Sequence, residues 1–283
     1  MEDTDMKRIY IVFALMMILV LSANAKKKKE LYILHSNDTH SCILPMNPNL
    51  ADTTVADKGG FLRRITMLKE ERRKHPHLLY IDSGDFFQGS PFYTMFQGDV
   101  EISLMNRMHL DATTLGNHEW DFGVERLAEN LRMANFPVVC SNYDFSGTAL
   151  EGLVKPYLVL KRKGIRIGIF AVGPKLAGLV DVKNFKGVEY RDPIECSLQM
   201  ATMLKKEKKC DVVICISHLG WGKTGDIAMI KGSRYIDLVL GGHSHSNFKA
   251  LEYVTDLDGR EVPVDQNGKS AINIGALTLT LEK

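Results

Sequence analysis

The chain has 283 residues, 45% hydrophobic and 25% charged, an ordinary globular composition that leaves no long stretch to read as disordered. Its 36 basic and 34 acidic side chains leave a net charge of +2 spread along the sequence, without the basic stripe and interleaved aromatics that track a nucleic-acid backbone, so long polynucleotides are not favoured as partners. The even spread of apolar residues predicts one large α/β domain around a continuous core.

At the amino terminus, Lys7 and Arg8 precede an apolar run from Ile9 to Leu21 that ends in Ser22-Ala23-Asn24-Ala25. This is the pattern of a secretory signal peptide, so residues 1–25 read as a cleaved leader and 26–283 as the mature protein, exported to the periplasm or secreted. The run is shorter than the roughly 20 residues a membrane-spanning helix needs, so no stable membrane anchor is expected; an uncleaved anchoring helix is the alternative. The acidic Met1 to Asp5 is foreign to such leaders, and a start at Met6 would remove it. No cysteine lies near the cut to carry a lipid, and Lys26 to Lys29 reads as a solvated start.

Short apolar runs then alternate with helical patterns: a strand Leu31 to His35, a helix Phe61 to Lys74, a strand Leu78 to Ile81, a helix Asp99 to Met108, a strand Ala112 to Leu115, a helix Val124 to Ala134 and a strand Val138 to Cys140. That is the βαβ rhythm of a largely parallel sheet. Lys163-Gly164 separates Tyr157 to Leu160 from Ile165 to Ala171 and predicts an antiparallel hairpin. A helix from Ile194 to Lys208, strands Val212 to Ile216 and Leu238 to Leu240, and a β-rich segment Ile272 to Leu281 complete the chain. The five cysteines, at 42, 140, 196, 210 and 215, form neither a disulfide framework nor a Cys-x-x-Cys pair. They read as ordinary thiols, Cys140 and Cys215 in the core, with Cys42 close enough to the first polar motif to be reactive.

Polar residues gather where five of the strands stop: Asp38-Thr39-His40, Gly84-Asp85, Gly116-Asn117-His118-Glu119, Ser217-His218 and Gly241-Gly242-His243-Ser244-His245. The carboxyl ends of parallel strands share one edge of a sheet, so clusters far apart in sequence can converge there. Any one of them alone is an ordinary turn. Together they offer oxygen and imidazole donors for two first-row divalent ions, without the thiolates of a structural zinc site or the many oxygens of a calcium site.

In this order the motifs resemble those of the calcineurin-like metallophosphoesterases. Ser36-Asn37-Asp38-Thr39-His40, Gly84-Asp85-Phe86-Phe87-Gln88-Gly89-Ser90-Pro91, Gly116-Asn117-His118-Glu119-Trp120-Asp121-Phe122-Gly123 and Gly241-Gly242-His243-Ser244-His245 are similar to the 5′-nucleotidase and nucleotide-sugar hydrolase branch. The resemblance implies a four-layer α/β/β/α sandwich of two mixed β-sheets flanked by helices. It implies that Asp38, His40, Asp85 and His245 hold one divalent ion and Asp85, Asn117, His218 and His243 the other, with Asp85 bridging ions roughly 3.5 to 4 Å apart. Manganese, zinc, cobalt and iron all suit such ligands. The implied chemistry is in-line attack on phosphorus by a water acidified towards hydroxide, with the cations offsetting charge on the phosphoryl oxygens.

By the same resemblance His118 lies beside the phosphate, stabilising its oxygens or assisting the leaving group, and Asp121 fixes the tautomer and direction of that ring. Asp121 capping the following helix is the plainer alternative. Trp221, on the Gly-flanked loop after His218, is a candidate to touch substrate, whereas Trp120 is expected to pack. His35 reads as a satisfied interior histidine, and His75, His77 and His109 have no partners at metal spacing.

Two departures stand out. Many relatives have glycine after the first Asp-x-His, where this chain has Ser41-Cys42, a change that alters the pocket floor or exposes the site to oxidation. Relatives also continue into a nucleoside-binding domain, whereas this sequence ends at Lys283, so the expectation is a catalytic domain only, with the nucleoside-binding part on a separate polypeptide or the chain acting alone on small phosphate esters. Nucleoside monophosphates and related small phosphomonoesters are the leading substrates; cyclic nucleotides or nucleotide sugars, and a non-catalytic binding subunit, are the alternatives.

Overall fold

The computed structural model describes residues 28–282; the leader read at residues 1–25 lies outside the described residues. In chain order the elements are β1 (Lys28–Ser36), α1 (Phe61–Lys74), β2 (Leu79–Asp82), α2 (Pro91–Phe96), α3 (Asp99–Asn106), β3 (Ala112–Thr113), α4 (Gly123–Met133), β4 (Val138–Val139), β5 (Tyr143–Asp144), β6 (Val154–Lys155), β7 (Tyr157–Arg162) and β8 (Ile165–Val172). They continue with β9 (Glu189–Tyr190), α5 (Pro193–Lys206), β10 (Val212–Ser217), α6 (Asp226–Lys231), β11 (Leu238–Gly241), β12 (Glu252–Thr255), β13 (Glu261–Asp265) and β14 (Gly275–Glu282). Among the described helices none is long and apolar enough to cross a membrane. Residues Leu31–Thr278 form one compact unit; in the other, Lys28 Nζ lies 3.1 Å from Glu282.

Two six-stranded sheets organise the main unit, ordered β14-β1-β2-β3-β4-β6 and β12-β13-β11-β10-β8-β7. In the first, β1 to β4 and β6 pair in parallel. In the second, β8, β10, β11 and β13 are parallel, with antiparallel strands β7 and β12 at its two edges. The β7–β8 turn is the expected hairpin: Arg162 pairs with Ile165, and Lys163 and Gly164 both take positive φ (49° and 72°), the conformation a two-residue turn requires.

The alternation of side chains divides the core into layers. Leu34 and Tyr80 pack with Phe61 and Leu68 of α1 on the outer face of the first sheet. Val213, Cys215 and Val239 pack with Ala201 and Leu204 of α5 on the outer face of the second. Their strand neighbours Ile33, Leu79, Ile81, Ile214, Ile216 and Leu240 point the other way and are fully buried. Hydrogen bonds from His35 to Asp265 and from Ser83 to the Leu240 carbonyl tie the two inner faces together. The result is the helix–sheet–sheet–helix order that the motifs imply.

The elements missed from the sequence are short or locally encoded. Helix α2 starts on Ser90, whose hydroxyl accepts from Tyr93 N, with Pro91 at its first position. Strands β12 and β13 carry acidic and polar residues on one face and only Val254, Val262 and Val264 on the apolar side, too few to announce themselves by period.

Candidate metal centre

Register explains why the motifs meet. Ser36 pairs with Asp82, Asp82 with Thr113, and Ser217 with Gly241, so the parallel strands stop level with one another and their following loops emerge at common edges. The loops after β1 and β2 then run side by side: Asp38 N, His40 N and Ser41 N donate to the carbonyls of Gly84, Asp85 and Phe86. Asp85 Oδ1 accepts from His118 N at 2.9 Å, and Asp38 accepts from His243 N, stitching four of the five motif loops together through the two aspartates.

Two groups of donors result. Ligand atoms of Asp38, His40 and His245 lie within 4.8 Å of one another, as do those of Asp85, His218 and His243; a third group, His40, Asp85 and His118, overlaps both. His40 Nε2 is 3.0 Å from His245 Nε2, and Asp38 Oδ1 is 3.4 Å from His245 Nε2. His218 Nδ1 donates to the Ser83 carbonyl at 2.5 Å, so a neutral ring turns its Nε2 lone pair towards Asp85 Oδ2, 3.1 Å away. Electron-rich atoms facing each other at such distances are the arrangement that a cation resolves. The buried Asn117 Oδ1 has no hydrogen-bond partner, and a Cβ on Gly116 would stand 2.2 Å from Asp85 Oδ1 and 2.5 Å from His218 Nε2, so the cradle accepts no side chain there. These residues fit two oxygen- and nitrogen-ligated divalent ions.

Electrostatics agree with that use. Burial holds His40 and His243 below the ordinary histidine range, keeping them neutral and able to ligate. Burial also works against charge on Asp85 and His218, but their mutual attraction wins: Asp85 falls below the usual carboxylate range and His218 rises to about 10, so without a cation a proton on His218 Nε2 bridges to Asp85, and a metal ion would take that proton's place. Five of the proposed ligands, Asp38, His40, Asp85, His243 and His245, have positive φ between 44° and 70°. Such strain, of order 1–3 kcal/mol per residue, persists where surrounding contacts dictate the backbone.

His118 Nδ1 lies 3.2 Å from Asp121 Oδ2, and this hydrogen bond raises the imidazole above its ordinary range against the opposing effect of burial. Helix α4 has no side-chain hydrogen bond at its N-cap Phe122, and the Asp121 carboxylate faces the His118 ring. The ring of His118 sits 5.4 Å from that of His40, beside the donors.

The family model for calcineurin-like phosphoesterases matches residues 31–247. The chain belongs to the calcineurin-like phosphoesterase family. A snake venom 5′-nucleotidase from Crotalus adamanteus is 32% identical over 256 residues, 84% of this chain and 43% of that protein. Among solved structures, the 5′-nucleotidase precursor of Thermus thermophilus shares 28% identity with a TM-score of 0.79, over 88% of this chain and 51% of that one. The NAD nucleotidase of Haemophilus influenzae shares 26% with a TM-score of 0.81, over 90% and 48%. The chain spans less than half the length of the first curated relatives it matches. The comparisons give no support to a separate nucleoside-binding polypeptide.

Within this family member the remaining sequence candidates divide. Trp221 is half-buried, meets Phe248 edge to face at 5.2 Å and packs on the outer core, and it does not line the cavity beside the histidines. Trp120 is buried and donates to the Gly116 carbonyl, holding the turn before Asn117. His35 is an interior histidine satisfied by Asp265 and Ser83. All five cysteines are free thiols; burial raises the Cys42 thiol, the opposite of what a reactive thiolate needs.

One supporting residue, Gln266, escaped the sequence reading, and another, Glu119, was named in its motif without a role. Glu119 accepts four backbone N–H bonds, from Asp85, Phe86, Phe87 and Gly116, clamping two motif loops together. Burial, with the neighbouring Asp85 charge, pushes its carboxyl up to about 8, while those donors pull it back. Gln266 is fully buried: Nε2 donates to the Gly242 carbonyl, and Oε1 accepts from Ser244 Oγ and Ser246 N. It therefore grips the turn that carries both His243 and His245. Its signal in the sequence is position, since it directly follows β13 just as the ligands follow the other strands.

Proposed function

We propose that this chain hydrolyses small phosphate esters with two divalent cations, with nucleoside 5′-monophosphates as the first class of substrate. The observation that carries the reading is the meeting of two donor groups, Asp38/His40/His245 and Asp85/His218/His243, beside a histidine held by its own carboxylate. Asp85 stands between the groups and, with Asn117, completes the two ligand sets; manganese, zinc, cobalt and iron all match these donors. Bound there, the cations would acidify a water and offset charge developing on phosphoryl oxygens.

The chain's own residues supply the rest. Asp121 accepts from His118 Nδ1, which turns Nε2 towards the phosphate site and keeps the ring in one tautomer. When protonated, His118 can donate to a phosphoryl oxygen or to the departing alkoxide; its raised proton affinity favours that state. Glu119 and Gln266 keep the loops from drifting as charge moves across the site. The nucleotide preference is supported by the 5′-nucleotidases among the relatives and neighbours. Export is supported by the leader pattern at residues 1–25 and by a venom relative.

The deciding experiment assays the purified chain on nucleoside monophosphates, a cyclic nucleotide, a nucleotide sugar and an aryl phosphate, with each metal and with chelator. Monophosphate hydrolysis that needs metal and disappears in folded Asp85→Ala is expected. A preparation inert on every ester with every ion would overturn the reading.

A further inference from the structure

Beneath the loop that carries Asp38 and His40, the core encloses a cavity of about 10 Å³, the space of one water molecule. Half of its wall is apolar, yet polar side chains from three elements also line it: Thr39 of the loop after β1, Arg64 of α1, and Tyr80 and Asp82 of β2. All four residues are buried.

Two of them hold unpaired groups. Thr39 Oγ1 and Arg64 Nη1 are buried atoms without a hydrogen-bond partner, although Arg64 Nη2 donates to the Asn273 carbonyl at 2.9 Å. A hydroxyl and a guanidinium N–H left unpaired in a core are costly, and folded proteins pair such groups or give them water. The Tyr80 hydroxyl has an acceptor to offer. Ser36 donates to Asp82 at 2.6 Å, so the phenol donates to Ser36 at 2.8 Å and keeps its own lone pairs for another donor.

Charge selects the occupant. Burial raises both the Asp82 carboxyl and the Tyr80 phenol, and the positive charge of Arg64 draws both back. A cation would meet that guanidinium and an anion would meet the Asp82 carboxylate, in a space that admits neither with its hydration. A neutral molecule that accepts from Arg64, donates to Tyr80 and shares a hydrogen bond with Thr39 satisfies every group. About three partners is the usual number for a buried water.

We propose that one ordered water links Arg64, Thr39 and Tyr80, and that through it Arg64 of α1 positions the loop bearing Asp38 and His40. Thr39 stands between those two residues, and Asp38, His40 and Ser41 all hold positive φ, so the loop depends on outside contacts to keep its shape. Backbone bonds to the carbonyls of Gly84, Asp85 and Phe86 secure it from one side. The water secures Thr39 from the core side. The water itself is independent of the phosphoesterase reading; its effect on metal binding rests on that reading.

A high-resolution crystal structure tests the first part: an ordered water within about 3.2 Å of Thr39 Oγ1 and Arg64 Nη1 is expected, and empty density there would refute the proposal. The second part uses Thr39→Val, Arg64→Met and the double variant, read by calorimetric titration with manganese and by the Tm of the metal-free protein. Each single change unseats the water and leaves its other partner unpaired, so each should weaken manganese binding by about tenfold. The double change removes both ends, so its loss should exceed the larger single loss by no more than about threefold. Losses that multiply would refute the link. Unchanged metal affinity beside a lowered Tm would refute the positioning role. If Arg64→Met fails to fold, Thr39→Val decides, through its metal affinity and the disappearance of the water from its crystal structure. Should the wild type bind no manganese, the metal reading fails, and the water stands or falls on the wild-type density and on whether the Tm losses of the two single changes add.

Discussion

Replacing Gly116 with alanine adds one methyl carbon at a place the backbone dictates, 2.2 Å from Asp85 Oδ1 and 2.5 Å from His218 Nε2. Gly116 is outside the left-handed region, so its backbone accepts alanine and the conflict is purely steric. The turn cannot swing away, because Gly116 N donates to Glu119 and its carbonyl accepts from Trp120 Nε1. The ligands must move instead, by about 1 Å before ordinary contact near 3.5 Å is restored. A displacement of about 1 Å at reacting groups costs on the order of 100-fold in rate, and overpacking a rigid site costs about 1–3 kcal/mol of stability. At about 2–4 °C per kcal/mol for a domain of this size, the metal-free variant should melt several degrees lower. Calorimetric titration with manganese should show weakened binding, and kcat/KM should fall by about two orders of magnitude. A variant that binds metal as tightly as wild type and turns over at the wild-type rate would refute the claim that Gly116 is the floor of the cradle.

Other consequences are equally direct. Saturating a metal-free preparation with ion at about 100 times its Kd should add about 2.7 kcal/mol and raise Tm by roughly 5–10 °C, read by scanning calorimetry; an unmoved Tm would mean that the donors do not act together. Asp121→Asn should lower kcat by about 10- to 100-fold, and His118→Ala by about 100- to 10,000-fold, with the larger losses on esters of poor leaving groups. Equal losses on aryl and alkyl phosphates would remove His118 from leaving-group departure. Gln266→Leu keeps the volume but strands the Gly242 carbonyl and Ser246 N–H, costing about 2–5 kcal/mol and weakening metal binding more than a distant core change of equal cost. Metal affinity unchanged alongside a lowered Tm would reduce Gln266 to a packing role.

Much of this was legible in the amino-acid order because the carriers are local. Apolar period and turn residues marked β1, β2, β3, β10 and β11, and the polar motifs sit directly after them, so the convergence of Asp38, His40, Asp85, Asn117, His218, His243 and His245 could be expected from strand ends alone. Lys163-Gly164 encoded its hairpin in two residues. Strands β12 and β13 did not show, because an edge hairpin buries only alternate valines, and with them Gln266 stayed hidden. The loop of Trp221, expected to touch substrate, also carries an edge-to-face partner, Phe248, that the loop sequence does not reveal.

By itself the sequence determined which atoms are available: two aspartates, an asparagine and imidazoles in a fixed order, each following a strand with its own periodicity. Only the tertiary structure decided which lone pairs face one another, and which oxygen of Asp85 meets His118 N and which meets His218. The physical reason is range. Local pattern sets φ, ψ and burial along a few residues, whereas metal donors, clamps and pockets depend on the directions in which side chains from distant strands are aimed, and those are fixed only when two sheets pack and their registers lock.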